Sequence, residues 1–246
     1  MTRTSPALTS TGAGDLAQAD LPAQTGDHER PALNRTRILE AALDLVDHEG
    51  LEALSMRRLG AVLGVEAMSL YHHIPSKAEL LDGLVALLLR QVPLPEVAAV
   101  SWDDALVTGF VDFRRVMLAH PAAFALVCSR PAAEPQALAV IARAFAVLSA
   151  AGFTPSDARA AWNTLLCYAL GYIECEVTGV GKDVRSGAMR EAIRAQVGPE
   201  FAALRAAWAD WSPEAWSDDV EYRRGLEAIL AGLDHRRVRG PLPASA

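Results

Sequence analysis

Residues 63–81 read LGVEAMSLYHHIPSKAELL, from Leu63 to Leu81, and the punctuation of this stretch sets the reading of the whole chain. Gly64 stops one helix, Pro75 stops the next after barely two turns, and Ser76-Lys77-Ala78-Glu79 is a capping box that starts another. Between the two stops lie Met68, Tyr71, His72 and His73. A core helix rarely concentrates so many polar and aromatic groups in so short a span, whereas a helix pushed into another molecule needs them.

Upstream, Asn34 is positioned as an N-cap, and Ile38, Ala42, Leu45 and Val46 share one helical face before Gly50 ends the run. Ser55 caps a second helix carrying Met56, Leu59 and Leu63 at helical spacing. The third spans about 66–73 with Leu70 and Ile74 four apart on its inner side, and the fourth reaches about 92. Two helices joined by a tight glycine turn, the second short and polar on its outer face, form the helix-turn-helix arrangement.

Composition agrees with an all-α chain. Hydrophobic residues make up 51% of it but aromatics only 6%, so apolar content lies in helix formers instead of β-branched runs. Residues 1–33 have no helical or strand period and read as a disordered tail. With no apolar run of ~20 residues, the chain is expected to be soluble, unsecreted and cytoplasmic, with no membrane contact. Cys128, Cys167 and Cys175 lack metal-type spacing and read as free thiols acting as small buried hydrophobes. A formal charge of -7 gives no support to a generic polyanion binder. Residues 34–92 carry a net -2, yet between Leu54 and Ala78 three cations (Arg57, Arg58, Lys77) face Glu66 alone, a local +2. Any binding to nucleic acid is therefore local and salt-dependent.

Pro93 and Pro95 mark the start of a second region. Ser101 and Asp104 open a helix that ends near His120-Pro121, residues 122–128 form a short helix or turn, and a helix over 134–151 runs to Gly152. Thr154-Pro155-Ser156-Asp157 begins a long helix to about Thr178. Residues 180–187 read as mobile, 188–209 as one weak helix, Ser212-Pro213 as a turn, 218–236 as the last helix and 239–246 as a tail. The sequence contains no Gly-rich phosphate loop, nucleophile elbow or helical metal-binding His pair, so no enzymatic activity and no cofactor are expected.

The run from Leu54 to Leu81, LSMRRLGAVLGVEAMSLYHHIPSKAELL, resembles the DNA-binding signature of the tetracycline-repressor (TetR) family. The resemblance covers about 34–92, because the hydrophobic positions, the glycine turn, the Leu70-Tyr71 pair and Ser76-Lys77 fall together. It implies a three-helix DNA-binding domain over 34–92 and a larger α-helical ligand-binding and dimerisation domain over 93–238. Tyr71 and Lys77 would meet phosphates, His73 corresponds to a backbone-contacting histidine, and Arg57 suits a bidentate guanine contact. Ala67, Met68 and Ser69 open the recognition helix. The family's founding member carries a glutamine and a proline where this chain has Ala67 and Met68, an apolar pair that favours thymine methyls.

Residues 113–176 also resemble the family's regulatory domain, notably at Ser129-Arg130-Pro131 and Ala151-Gly152-Phe153-Thr154. Its magnesium-ligand positions fall near Leu126 and Cys175 and a drug-contacting histidine near Pro93, residues unfit for that chemistry. A largely apolar pocket is expected instead, lined by some of Phe113, Phe124, Trp162, Leu166 and Tyr172, with Arg130 or Glu174 as polar anchors and no metal. The resemblance also implies a homodimer on double-stranded operator DNA. The helices at about 155–178 and 218–236 would form its four-helix bundle, with Ala161, Ala169 and Gly171 allowing close approach. A small-molecule-released repressor is the leading expectation; an activator of the same fold or a helical adaptor that does not bind DNA are the alternatives.

Overall fold

Helix α1, Arg35–Glu49, begins where the side chain of Asn34 accepts a hydrogen bond from the Arg37 N–H at 2.9 Å. Its buried residues, Ile38, Leu39, Ala42, Leu43, Leu45 and Val46, form one stripe. Helix α2, Met56–Leu63, is capped by Ser55 and buries Met56, Leu59 and Leu63. It ends at Gly64, whose φ of 69° is left-handed. There the Val65 N–H returns to the Gly60 carbonyl at 2.9 Å, a Schellman closure that a residue with a Cβ makes only with strain. These details belong to a computed structural model that describes residues 32–93, 100–180, 187–196, 198–209, 212, 214 and 216–239. Most of the expected N-terminal tail, the stretch containing Pro95, most of the 180–187 segment, Pro213 and residues 240–246 lie outside the described residues.

Helix α3 is Ala67–Tyr71, shorter than the 66–73 span expected. Glu66 is extended as its N-cap, and the N–H groups of His73 and Ile74 both turn back to the Leu70 carbonyl, at 3.0 and 2.9 Å. Pro75 disfavours helix at Ile74, so the last turn tightens instead of continuing. Helix α4, Lys77–Arg90, starts with the Glu79 N–H donating to Ser76 Oγ at 3.1 Å. It ends two residues before the expected position, with Gln91 and Val92 in tight turns back to Leu88 and Leu89.

Around α4 pack α5 (Trp102–Ala119), α6 (Pro121–Ser129) and α7 (Pro135–Ala150); α8 (Pro155–Thr178) packs on α5 and α7. Thr154 caps α8 and Pro155 sits in its first turn, as the sequence requires. The expected helix over 188–209 is instead two short ones, α9 (Ala188–Gln196) and α10 (Ala202–Ala207), separated by a 3-10 turn at Pro199–Phe201. Gly198-Pro199 breaks it, because Pro199 has no N–H to continue the ladder. Helix α11, Asp218–Arg239, returns against α5 and α8. One core cluster runs from Ile38 through Leu70, Leu84, Phe110 and Leu165 to Leu233. Among the described residues there is no strand, and no helix is long and apolar enough to cross a membrane.

A buried arginine ties three helices together. Arg114 of α5, 7% exposed, donates from Nε and one Nη to Glu176 of α8, both at 2.7 Å, and from its other Nη to Asp219 of α11 at 2.6 Å. Hydrogen bonding by Glu176, reinforced by Asp219, raises its pKa further although burial opposes the charge. The Tyr222 ring lies beneath the guanidinium, 5.3 Å to its centroid, and the Tyr222 hydroxyl donates to the Phe110 carbonyl at 3.1 Å.

The cysteines are not the buried hydrophobes expected from composition. Cys128 and Cys167 are exposed and Cys175 is half-buried, because they fall on the outer or flanking faces of α6 and α8; all three are free thiols. Ala161 and Ala169 are likewise fully buried inside the protomer, part of the α8 stripe Ala158, Ala161, Leu165, Ala169 and Ile173 that packs inward. They cannot face a partner, whereas Gly171 is exposed with open space beside it.

Candidate functional site

The helical period sorts the residues of α3 by task. Leu70 and Ile74 are 0% and 1% exposed and hold the helix down, while Met68 at 68% and Tyr71 at 39% point outward. Ser69 is half-buried, and His72, His73, Lys77 and Arg57 are exposed. Arg57, Met68, Tyr71, His73 and Lys77 thus stand clear of the core around one short helix. Ala67 differs from the others: it is half-buried and packs against the core cluster.

What seats α3 is Gly60, a residue whose role the sequence reading missed. A Cβ built there would lie 2.9 Å from the Val65 carbonyl oxygen and 3.3 Å from the Ala67 nitrogen. Only glycine lets α2 approach the turn and the start of α3 so closely. The signal was available: a glycine inside an eight-residue helix costs propensity and needs a packing reason.

Charge at this surface differs from the count along the chain. The Arg58 guanidinium pairs with both carboxylate oxygens of Glu49, with Nε at 3.0 Å from Oε2. Arg58 and Glu49 hold each other charged, the Glu49 pKa falling and the Arg58 pKa rising mainly through that hydrogen bond. The expected local +2 is therefore reduced, because Glu49 lies outside the interval that was counted.

On the other side of α4 is a cavity of about 280 Å³. Its wall comes from Leu89 and Val92 at the end of α4, Phe110 and Phe113 of α5, Val140 and Val147 of α7, and Trp162 and Leu166 of α8. Two arginines, Arg130 after α6 and Arg143 within α7, complete the charged part of the lining. Phe110 and Trp162 touch at 5.6 Å between ring centroids. Gly109 lies on this wall, and a Cβ added there would meet nothing within 4 Å.

Of the seven expected lining residues, Phe113, Arg130, Trp162 and Leu166 line the cavity. Phe124 does not; it is 1% exposed in the core where α6 packs on α1 and α4. Tyr172 also does not, because its ring packs on Tyr222 at 5.2 Å and its hydroxyl donates to Asp218 Oδ1 at 3.2 Å. Burial, then the nearby Asp218 charge, pushes the Tyr172 pKa well up, so it stays a neutral donor there. Glu174 is exposed on the outer face of α8.

Polar ties connect the cavity side of the molecule to the helices around α3. Arg130 donates to Asp82 Oδ1 at 2.8 Å and to the Ala78 carbonyl at 3.2 Å, both on α4. His120 Nδ1 lies 2.7 Å from Asp47 Oδ2 of α1. Arg35 of α1 pairs with Glu134 at the start of α7. Asp47, Asp82 and Glu134 were not singled out in the sequence, because a partner 48 to 99 residues away leaves no local pattern.

Known proteins share both halves of this arrangement. Residues 38–84 match the family model of bacterial regulatory proteins of the tetR family, and residues 94–237 match the tetracyclin repressor-like C-terminal domain. An HTH-type transcriptional regulator of Saccharopolyspora erythraea is 30% identical over 230 residues, 94% of this chain and 97% of that protein. The HTH-type transcriptional repressor DrrR1 of Streptomyces coeruleorubidus is 30% identical over 236 residues, 91% of this chain and 87% of that one. Among solved structures, apo ActR of Streptomyces coelicolor superimposes with a TM-score of 0.74 at 26% identity, covering 84% of this chain and 97% of ActR. ActR in complex with actinorhodin gives 0.71 at 27%, covering 84% and 99%. An outward recognition helix seated by a glycine, a cavity behind the helix that follows it, and matches to both family models lead to one conclusion: the chain belongs to the TetR family of helix-turn-helix transcriptional regulators.

Proposed function

We propose that the chain acts as a homodimeric repressor, released from a pseudo-palindromic operator when a largely apolar small molecule fills the cavity. The observation that carries this reading is the double use of α4. Lys77 at one end lies beside α3, and Leu89 at the other end is cavity wall. Both lie on the one 14-residue helix, about 18 Å apart along its axis. A ligand that repositions Leu89 and Val92, or strains the bond from Arg130 to Asp82, moves the element that supports the recognition helix.

On the operator, Met68 and Ser69 address base edges, with the small Ala67 letting α3 lie close. Arg57 takes a guanine, and Tyr71, His73 and Lys77 fix phosphates. The outer face of α8 (Ala160, Thr164, Cys167, Gly171) and that of α11 (Ala228, Ala231, Gly232) are exposed and small, which suits close helix packing between protomers. Repression is favoured by DrrR1, named a transcriptional repressor, and a filled cavity by the ActR complex with actinorhodin.

Gly109→Leu tests the link between cavity and operator. The variant fills the cavity, so a compound that releases the wild-type protein from its operator should fail to release the variant. A compound that occupies the wild-type cavity at saturation with operator affinity unchanged would remove the proposed mechanism.

A further inference from the structure

Two residues stand against the preferences of their own helices. Arg35 is the first residue of α1, whose first turn holds no acid, so its cation sits at the end of the helix dipole that disfavours it. Glu134 occupies the N-cap of α7, yet its side chain caps nothing in that helix. One contact explains both exceptions: the two side chains pair with each other across the two halves of the chain. On the way, the Arg35 guanidinium passes α4 at Gly83. A Cβ built there would lie 3.2 Å from Arg35 Nη2 and 2.7 Å from Leu39 Cδ2. The missing side chain lets α1 lie close on α4 and leaves the guanidinium its route to α7.

The other end of α1 is tied as well. Asp47, about 18 Å along the axis from Arg35, meets His120 Nδ1 at 2.7 Å. Helix α2 packs on α1, and α3 packs on α2. The recognition helix is therefore carried by a helix held near both ends to the regulatory half, as well as by its continuation into α4. We propose that α1 is a second strut between the halves and that Glu134, acting through Arg35, is a positioning residue that holds α3 at the tilt the operator requires. The proposal rests on the operator-binding reading above. Glu134 immediately precedes the helix that supplies Val140, Ala144 and Val147 to the cavity wall. A displacement of α7 therefore reaches α1 through the ion pair without passing along α4. A partly exposed pair is a weak tie, which suits a contact that has to open.

The sign of the effect of Glu134→Gln separates this role from simple electrostatics. The substitution removes one negative charge from a chain of formal charge -7 and releases Arg35, so charge alone would strengthen binding to any duplex. Loss of a strut predicts the reverse. The probe is the duplex that the wild-type full chain selects from a random DNA pool, and thermal unfolding establishes that each variant is folded at the assay temperature. Affinity should fall about two- to five-fold in Glu134→Gln. Glu134→Asp, which keeps the charge on a shorter arm, should lose less. The exchanged pair, Arg35→Glu with Glu134→Arg, has the wild-type net charge and should restore binding. Affinity unchanged or raised in Glu134→Gln, or equal losses in Glu134→Gln, Glu134→Asp and the exchanged pair, would overturn the proposal and leave the operator-binding reading intact. A folded wild-type protein that selects no duplex would remove that reading and the proposal with it.

Discussion

The two halves of this molecule differ in whether they bury an arginine. From Arg35 to Arg90 they stay at the surface: Arg57 is exposed beside α3, and Arg58 forms its pair with Glu49 in solvent. Between Trp102 and Thr178, Arg115 and Arg159 are exposed, but Arg114 goes inside, where it binds one carboxylate from α8 and one from α11, and Arg143 is half-buried in a cavity wall. Outward arginines serve a polyanion that the protein must leave as well as bind, and water keeps each of them cheap to expose. Inward arginines fix geometry: their charge is costly to bury, so each is useful only where its partners are placed. An outward arginine such as Arg57 should therefore be lost without unfolding the chain, and Arg114 should not.

Arg114→Ala is the severest test of that contrast. It leaves Glu176, itself nearly buried, without its bidentate partner and should cost about 3–5 kcal/mol in urea unfolding. A cost under about 1 kcal/mol, the range of exposed pairs, would break the comparison. Next comes Leu70→Ala, which removes the fully buried anchor of α3 and should lower stability by about 2–5 kcal/mol. Arg57→Ala belongs to the outward class. It should weaken operator binding by about 1–3 kcal/mol, relax the preference at one base pair and leave the unfolding midpoint unchanged. Lys77→Ala should reduce affinity evenly across sequences and lower the salt slope by about one. The smallest effect is expected at Gly109→Ala, where helix propensity should raise stability by about 0.5–1 kcal/mol while the added methyl takes ligand space.

The same contrast explains what could be read from sequence. The caps at Asn34, Ser55, Ser76 and Thr154 and the left-handed stop at Gly64 each depend on residues within a few positions of one another, and all are present. The outward placement of Met68 and Tyr71 follows from the period that buries Leu70. The cavity obeys no such local rule, because its wall is assembled from residues between Leu89 and Leu170 on five segments. Phe124 and Tyr172 have the right chemistry for a lining residue but lie at the wrong angle on α6 and α8. Ala161 and Ala169 fail as dimer contacts for the same reason, since a small residue fits a crowded inner face as well as an interface. Arg143 was legible and passed over: a cation within a Val140–Val147 apolar stripe is a visible break in pattern.

The most direct test is selection of bound duplexes from a random DNA pool by the purified full chain at moderate salt. A two-fold dimer with one recognition helix per protomer predicts an inverted repeat whose half-sites lie about one DNA turn apart, ~34 Å. Thymines should recur where Met68 reaches the major groove. Enrichment of a single unrepeated site, or of nothing at all by a protein shown to be folded, would contradict the account.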